Sequence, residues 1–120
     1  MIGVDTISIA RIAAAIKNEA FLTRVFTKRE REYCDGKAKS AQSYAGIFCA
    51  KEAAVKAAEC GFGHGIMPCD IEIDHKESGA PFLRTHGNAK ALFGMFDSSV
   101  SISHDGDNAV AVVELTEIKQ

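Results

Sequence analysis

The sequence predicts an α+β domain in which a small antiparallel sheet packs on one long helix. Three stretches carry that expectation. Residues 40 to 61 hold Ala41, Ala45, Ala50, Ala53, Ala54, Ala57 and Ala58 and are apolar on nearly every side, which marks a central helix. Asp70-Ile71-Glu72-Ile73-Asp74 alternates polar and apolar residues, the period of a half-exposed strand. Val100-Ser101-Ile102-Ser103 and the run from Ala109 to Leu115 are strand-like, and the turn formers His104-Asp105-Gly106-Asp107-Asn108 join them.

Taken in chain order, residues 1 to 5 read as a strand. Residues 8 to 20 read as a helix, with Ser8 as N-cap and Ile9, Ile12, Ala13, Ile16 and Ala20 along one stripe. Thr27-Lys28-Arg29-Glu30 is a capping box that opens a second helix, which Gly36 closes. Ser40 is the expected cap of the long helix, which runs to Gly61. Gly61-Phe62-Gly63-His64-Gly65 is a loop without the GxxxxGK[ST] pattern of a Walker loop. His75 to Gly79 reads as a hairpin turn, Pro81-Phe82-Leu83-Arg84 as its returning strand, and Asn88 to Phe96 as a short helix.

A chain of 120 residues suffices for one domain with a real core and not for two, so residues 1–120 are read as a single domain. A formal net charge of −2 offers no global basic field for nucleic acid. Arg24, Lys28, Arg29, Arg31, Lys37 and Lys39 do cluster, as a solvated helix face or as a strip for an acidic partner. The cysteines, at positions 34, 49, 60 and 69, show no CxxC spacing. Reduced thiols, buried where Cys49 and Cys60 sit in apolar helical context, fit a cytoplasmic protein. No apolar run approaches the roughly 20 residues of a membrane span, and Asp5 interrupts any apolar signal-like start.

The chemistry-bearing residues are two acids far apart in sequence. Asp5 ends the apolar run Ile2-Gly3-Val4. Glu52 lies within Phe48-Cys49-Ala50-Lys51-Glu52-Ala53-Ala54-Val55-Lys56, where a carboxylate needs a cation or hydrogen-bond donors to stay ionised. Two carboxylates converging on one point suit Mg²⁺, which takes oxygen ligands and leaves its other positions to water and substrate phosphate. Blander readings stand beside this one. Glu52 and Lys56, four apart, can form a surface ion pair. Asp5 can cap a turn, and His104 can be a surface turn residue. Lys51 and Lys56 leave the helix on different sides, so two ammonium groups can address separate phosphates. His64, His75 and His86 lack metal-ligand spacing and are read as surface.

Taken together and in order, Ile2-Gly3-Val4-Asp5, Ile9-Ala10-Arg11-Ile12, Phe48-Cys49-Ala50-Lys51-Glu52-Ala53 with Lys56, and Val100-Ser101-Ile102-Ser103-His104 resemble the holo-[acyl-carrier-protein] synthase family, the short 4′-phosphopantetheinyl transferases of bacteria. Asp70-Ile71-Glu72-Ile73 and Gly79-Ala80-Pro81 resemble its central hairpin, so the likeness spans essentially the whole chain. It implies the 4′-phosphopantetheinyl transferase fold. It also implies Mg²⁺-dependent transfer of 4′-phosphopantetheine from coenzyme A to a serine of apo-acyl carrier protein, releasing adenosine 3′,5′-bisphosphate. By position Asp5 and Glu52 match the metal ligands, Lys56 a lysine near the donor phosphates, and His104 a site histidine. Lys51 and Gly61 are expected beside Lys56 and His104 around the donor. Arg11, and with it Arg24, would face the acidic carrier. The resemblance further implies a homotrimer with sites at subunit interfaces. The proton acceptor for the serine stays open between a metal-bound water and a ligating carboxylate.

Three positions depart from the family pattern. Ile47 replaces an arginine, so another cation, Lys51 or Lys39, must serve the donor. Ala58-Glu59-Cys60-Gly61 replaces leucine-glycine-threonine-glycine, placing the Glu59 charge near an anionic ligand. Ala80 replaces a lysine. The expectation is altered donor contacts with retained chemistry.

Overall fold

The computed structural model describes residues 1–63 and 65–119; the reading of His64 as a surface residue falls outside them. The first strand, β1 (Ile2–Ser8), runs three residues beyond the expected five. Helix α1 (Ile9–Ala15) begins where Ser8 was expected to cap it, the Ser8 hydroxyl accepting the Arg11 N–H at 3.3 Å. It does not continue to residue 20. A tight turn closes it at Ile16, and Asn18 Oδ1 accepts the Phe21 N–H at 3.0 Å to open a separate helix, α2 (Glu19–Val25). Asparagine is a strong N-cap and a poor interior residue, so it breaks a stripe that periodicity alone would carry through.

Helix α3 (Lys28–Asp35) has the expected capping box, with Thr27 and Glu30 each bonding the other's backbone N–H, and it ends at Gly36. The long helix, α4 (Ser40–Ala57), differs at both ends from the sequence reading. Lys39 occupies the N-cap without a side-chain hydrogen bond, and Ser40 is already helical. At the other end Glu59 N–H donates to Lys56 O at 3.1 Å and Cys60 N–H to Val55 O at 3.0 Å. These are the paired bonds of a Schellman ending. They require the intervening Glu59 at φ +57, a left-handed position that glycine occupies with less strain.

A 3₁₀ turn at Pro68–Asp70 leads into the hairpin of β2 (Ile71–His75) and β3 (Pro81–Thr85). Strand β2 is more enclosed than the half-exposed reading, since Glu72 is buried beneath Thr27, Arg29, Arg84 and His86. Helix α5 (Ala89–Phe93) is shorter than expected because residues from Phe96 onward join β4 (Phe96–Asp105). Strand β4 turns tightly through Gly106, at φ +59, into β5 (Asn108–Glu117). Strand β5 pairs with both β1 and β4, giving an antiparallel sheet of order β1-β5-β4. The expected single sheet is thus two, one of three strands and one of two.

Helix α4 is the core element. Eleven of its residues are buried, and the inward residues of β5 (Ala109, Ala111, Val113, Leu115) lie against it. Two glycines set how closely the sheet edges approach it. A Cβ at Gly3 would collide with the Ala53 carbonyl and come within 2.6 Å of Ala57 N. A Cβ at Gly46 would come within 2.8 Å of Ile102 Cγ2 and 3.1 Å of His104 Nε2. Side-chain-free contact at these points lets β1 lie on the C-terminal half of α4 and β4 on its N-terminal half.

Candidate active site

Along β1 the period of two sends Gly3, Asp5 and Ile7 toward α4, while Ile2, Val4 and Thr6 face outward. The close approach at Gly3 places Asp5 against the turn of α4 that carries Cys49, Glu52 and Lys56, which share one helical stripe. Lys56 Nζ lies 2.9 Å from Asp5 Oδ1 and donates a second bond to Val4 O at 3.2 Å. The ammonium therefore pairs with Asp5 rather than with Glu52, and Asp5 sits within the strand rather than capping a turn.

The electrostatics fit two acids held together. Burial raises the Glu52 carboxyl above its ordinary range, and the Asp5 charge raises it further, with Lys56 opposing both. Its hydrogen bond to Asp5, reinforced by the charge, holds Lys56 above the usual lysine range, so it remains an ammonium. Cys49 is fully buried beside the pair, its thiol bonded to Ala109 O at 3.5 Å. Burial first, and then the neighbouring Asp5 charge, push that thiol up to about 12, so it stays protonated. Among the described residues no group of three or more His, Cys, Asp or Glu side chains is placed to hold a metal. The donor set is two oxygen-bearing acids, one of them with a raised proton affinity, and that suits a hard cation completed by water and phosphate oxygens.

Lys51 requires a correction. It was expected at the donor phosphates, yet it is 1% exposed and its ammonium is fully engaged inside the fold. Nζ contacts Glu30 Oε1 at 2.8 Å, Ile71 O at 2.7 Å and Pro68 O at 2.9 Å. The Glu30 carboxylate also accepts the Thr27 and Ile73 N–H groups, at 2.9 and 2.8 Å, and burial raises it despite the lysine. Lys56 lies five positions beyond Lys51, a rotation of about 140° around the helix. Ile47 and Val55, four residues to either side of Lys51, mark its face as the core face, a signal present in the sequence.

His104 lies exposed at the other edge of the sheet, with Nε2 3.0 Å from Gln42 O. It borders a pocket of about 180 Å³ with Ile47, Ser43, Tyr33, His75 and Pro81. His75 is not the surface residue expected: it is half-buried and stacked on Tyr33, with ring centroids 3.8 Å apart. Burial lowers its pKa. His86 is exposed as expected, 3.1 Å from Glu72. Gly61 follows the end of α4 with open space where a Cβ would be, and Cys60 is half-buried rather than buried. Arg11, Arg24 and Lys28 are exposed on α1, α2 and α3. Within one chain, then, Asp5, Glu52 and Lys56 come together, while His104 stands at the opposite sheet edge.

Comparison with known proteins gives a consistent result. The family model for the 4′-phosphopantetheinyl transferase superfamily matches residues 1–113. The holo-[acyl-carrier-protein] synthase of Geobacter metallireducens is 42% identical over 121 aligned positions, covering 97% of this chain and 96% of that protein. That of Clostridium kluyveri is 40% identical, covering 98% and 92%. The crystal structure of Helicobacter pylori holo-[acyl-carrier-protein] synthase in complex with coenzyme A superposes with a TM-score of 0.86 at 36% identity, covering 97% of this chain and 100% of that one. The Bacillus anthracis enzyme in complex with CoA (3′,5′-ADP) gives 0.80 at 34% identity, covering 95% and 93%.

Proposed function

The chain belongs to the 4′-phosphopantetheinyl transferase superfamily and is a transferase; from that premise we propose that it moves 4′-phosphopantetheine from coenzyme A to a serine hydroxyl of apo-acyl carrier protein, releasing adenosine 3′,5′-bisphosphate, with Asp5 and Glu52 holding Mg²⁺. The observation that carries this reading is the meeting of Asp5, Glu52 and Lys56 on one face of α4. When bound there, Mg²⁺ supplies charge neutralisation on the diphosphate linkage. Lys56 supplies a mobile ammonium for a phosphate oxygen, where negative charge builds on the leaving bisphosphate. The serine proton passes to one of the two carboxylates, Asp5 or Glu52, or to a water beside them. The new bond joins the serine oxygen to the phosphorus bearing the pantetheine arm, and the bond from that phosphorus to the nucleotide's bridging oxygen breaks.

His104 of one copy serves the Asp5 and Glu52 of a neighbouring copy, in a site shared between subunits. Two features support a homotrimer. The outer sheet face exposes Ile2, Val4 and Val112 at 67%, 55% and 40%, an apolar surface suited to burial. The two halves of the site lie at opposite sheet edges, and a cyclic assembly sets one edge of a copy against the other edge of the next. With Lys51 committed to the core, Lys39, exposed before α4, is the cation that answers the loss of arginine at Ile47. Arg11 and Arg24, with Lys28, are exposed basic residues available to the acidic carrier. The four free thiols agree with a cytoplasmic setting.

Incubating the protein with apo-acyl carrier protein, coenzyme A and Mg²⁺, and weighing the carrier by mass spectrometry, tests the reading. The carrier should gain one phosphopantetheinyl group in Mg²⁺ and none in EDTA. Tight binding of carrier or coenzyme A without modification would make the protein a binding module instead.

A further inference from the structure

We propose that Lys56 is a shared ammonium, held by Asp5 in the free protein and handed to a donor phosphate when coenzyme A and the divalent cation arrive. The inference rests on reading Asp5 and Glu52 as the cation seat and coenzyme A as the donor. In the free protein Lys56 spends two of its three N–H bonds on Asp5 Oδ1, at 2.9 Å, and Val4 O, at 3.2 Å. It is nevertheless not locked. Its side chain is 52% exposed, against 17% for Asp5, and it stands on four rotatable bonds. Lys51, on the same helix, shows what a fixed ammonium looks like here: three partners and 1% exposure.

The competition follows from geometry. Lys56 holds Asp5 Oδ1 and leaves Oδ2, but a divalent cation on that carboxylate repels the neighbouring ammonium, and an ammonium on Asp5 is not free for a phosphate. A cation that takes Asp5 therefore releases Lys56 toward the donor, and a donor that takes Lys56 frees Asp5 for the cation. The two ligands assist each other through one side chain, and linkage makes that assistance reciprocal. Until then the pair holds Asp5 beside Glu52 and offsets the repulsion of the two acids. Lys56 acts here as a positioning residue for the cation seat and as a binding residue for the donor.

A double-mutant cycle on coenzyme A affinity isolates this coupling from the general effect of charge. Coenzyme A is titrated calorimetrically into metal-free protein in EDTA, for wild type, Asp5→Asn, Lys56→Met and the double variant. Lys56→Gln stands in as a second background should the Met variant misfold. Where Lys56 is present, Asp5→Asn should tighten coenzyme A about three- to fivefold, the range that releasing an exposed ion pair corresponds to. Where Lys56 is replaced, the same change should alter affinity by less than about twofold. Equal effects in the two backgrounds would overturn the hand-over. The underlying reading is checked separately: wild-type protein whose coenzyme A affinity is the same in Mg²⁺ and EDTA would overturn the cation seat, whatever the cycle shows.

Discussion

Two ion pairs flank the same helix, and they differ in what surrounds them rather than in their own geometry. Lys51–Glu30 closes at 2.8 Å with 1% and 0% of the side chains exposed; Lys56–Asp5 closes at 2.9 Å with 52% and 17% exposed. The first is enclosed by α3, β2 and the 3₁₀ turn, and backbone groups satisfy its remaining hydrogen-bonding capacity. The second borders solvent, and one of its partners lies beside another acid. A pair enclosed in this way ties elements together. A pair at the rim can exchange partners, and that is what a site for an anionic donor and a hard cation needs.

The sharpest way to break this contrast is to remove the acids at the rim. Asp5→Asn and Glu52→Gln should each lower transfer by about a thousandfold or more, matching the several kcal/mol of charge stabilisation at stake. Thermal melts of both variants should stay within a few degrees of wild type, so activity and stability separate. Removing the enclosed lysine should do the reverse. Lys51→Met strands the Glu30 carboxylate in the core and should cost about 3–5 kcal/mol in urea unfolding, and adding Glu30→Gln should recover part of it. Lys56→Met should leave the urea midpoint close to wild type while weakening donor binding.

Smaller effects sharpen the same picture. Glu59→Gly should stabilise the protein by about 1 kcal/mol, because the left-handed residue in the ending of α4 is strained for glutamate. The pH dependence of stability reports on Glu52. Its native carboxyl holds a proton more tightly than the unfolded chain does. Its contribution is therefore present at low pH and is lost as pH rises through the native pKa. In EDTA, Glu52→Gln should melt at or above wild type at pH 7, and the difference should vanish below the ordinary carboxylate value of 4.5. Glu72 has the opposite sign. Burial raises it, but its bonds from Thr27 and His86 lower it on balance, so its contribution is lost in acid.

Much of the site was legible in the residues. An acid closing Ile2-Gly3-Val4 and an acid inside an alanine-rich helix are both hard to place without a partner, and the fold brings them together. The capping box at Thr27 and Glu30 was legible for a different reason: local bonds define it. What sequence reading missed depends on neighbours distant in the chain. Ile47 and Val55 mark the face of Lys51 as a core face, but its partners, Glu30 and the Pro68 and Ile71 carbonyls, lie elsewhere in the chain, and no spacing within α4 names them. The break at Asn18 sets a strong cap against a continuous apolar stripe, and the cap prevails. The Tyr33–His75 stack joins α3 to the hairpin across more than forty residues of chain, beyond the reach of periodicity.

Lysine footprinting of the native protein tests the contrast most directly. Brief acetylation, read residue by residue by mass spectrometry, should modify Lys56 in the free protein, spare it when coenzyme A and Mg²⁺ are present, and leave Lys51 untouched until denaturant unfolds the chain. Rapid native labelling of Lys51, or labelling of Lys56 that the ligands do not change, would contradict the division of roles between the two faces of the helix.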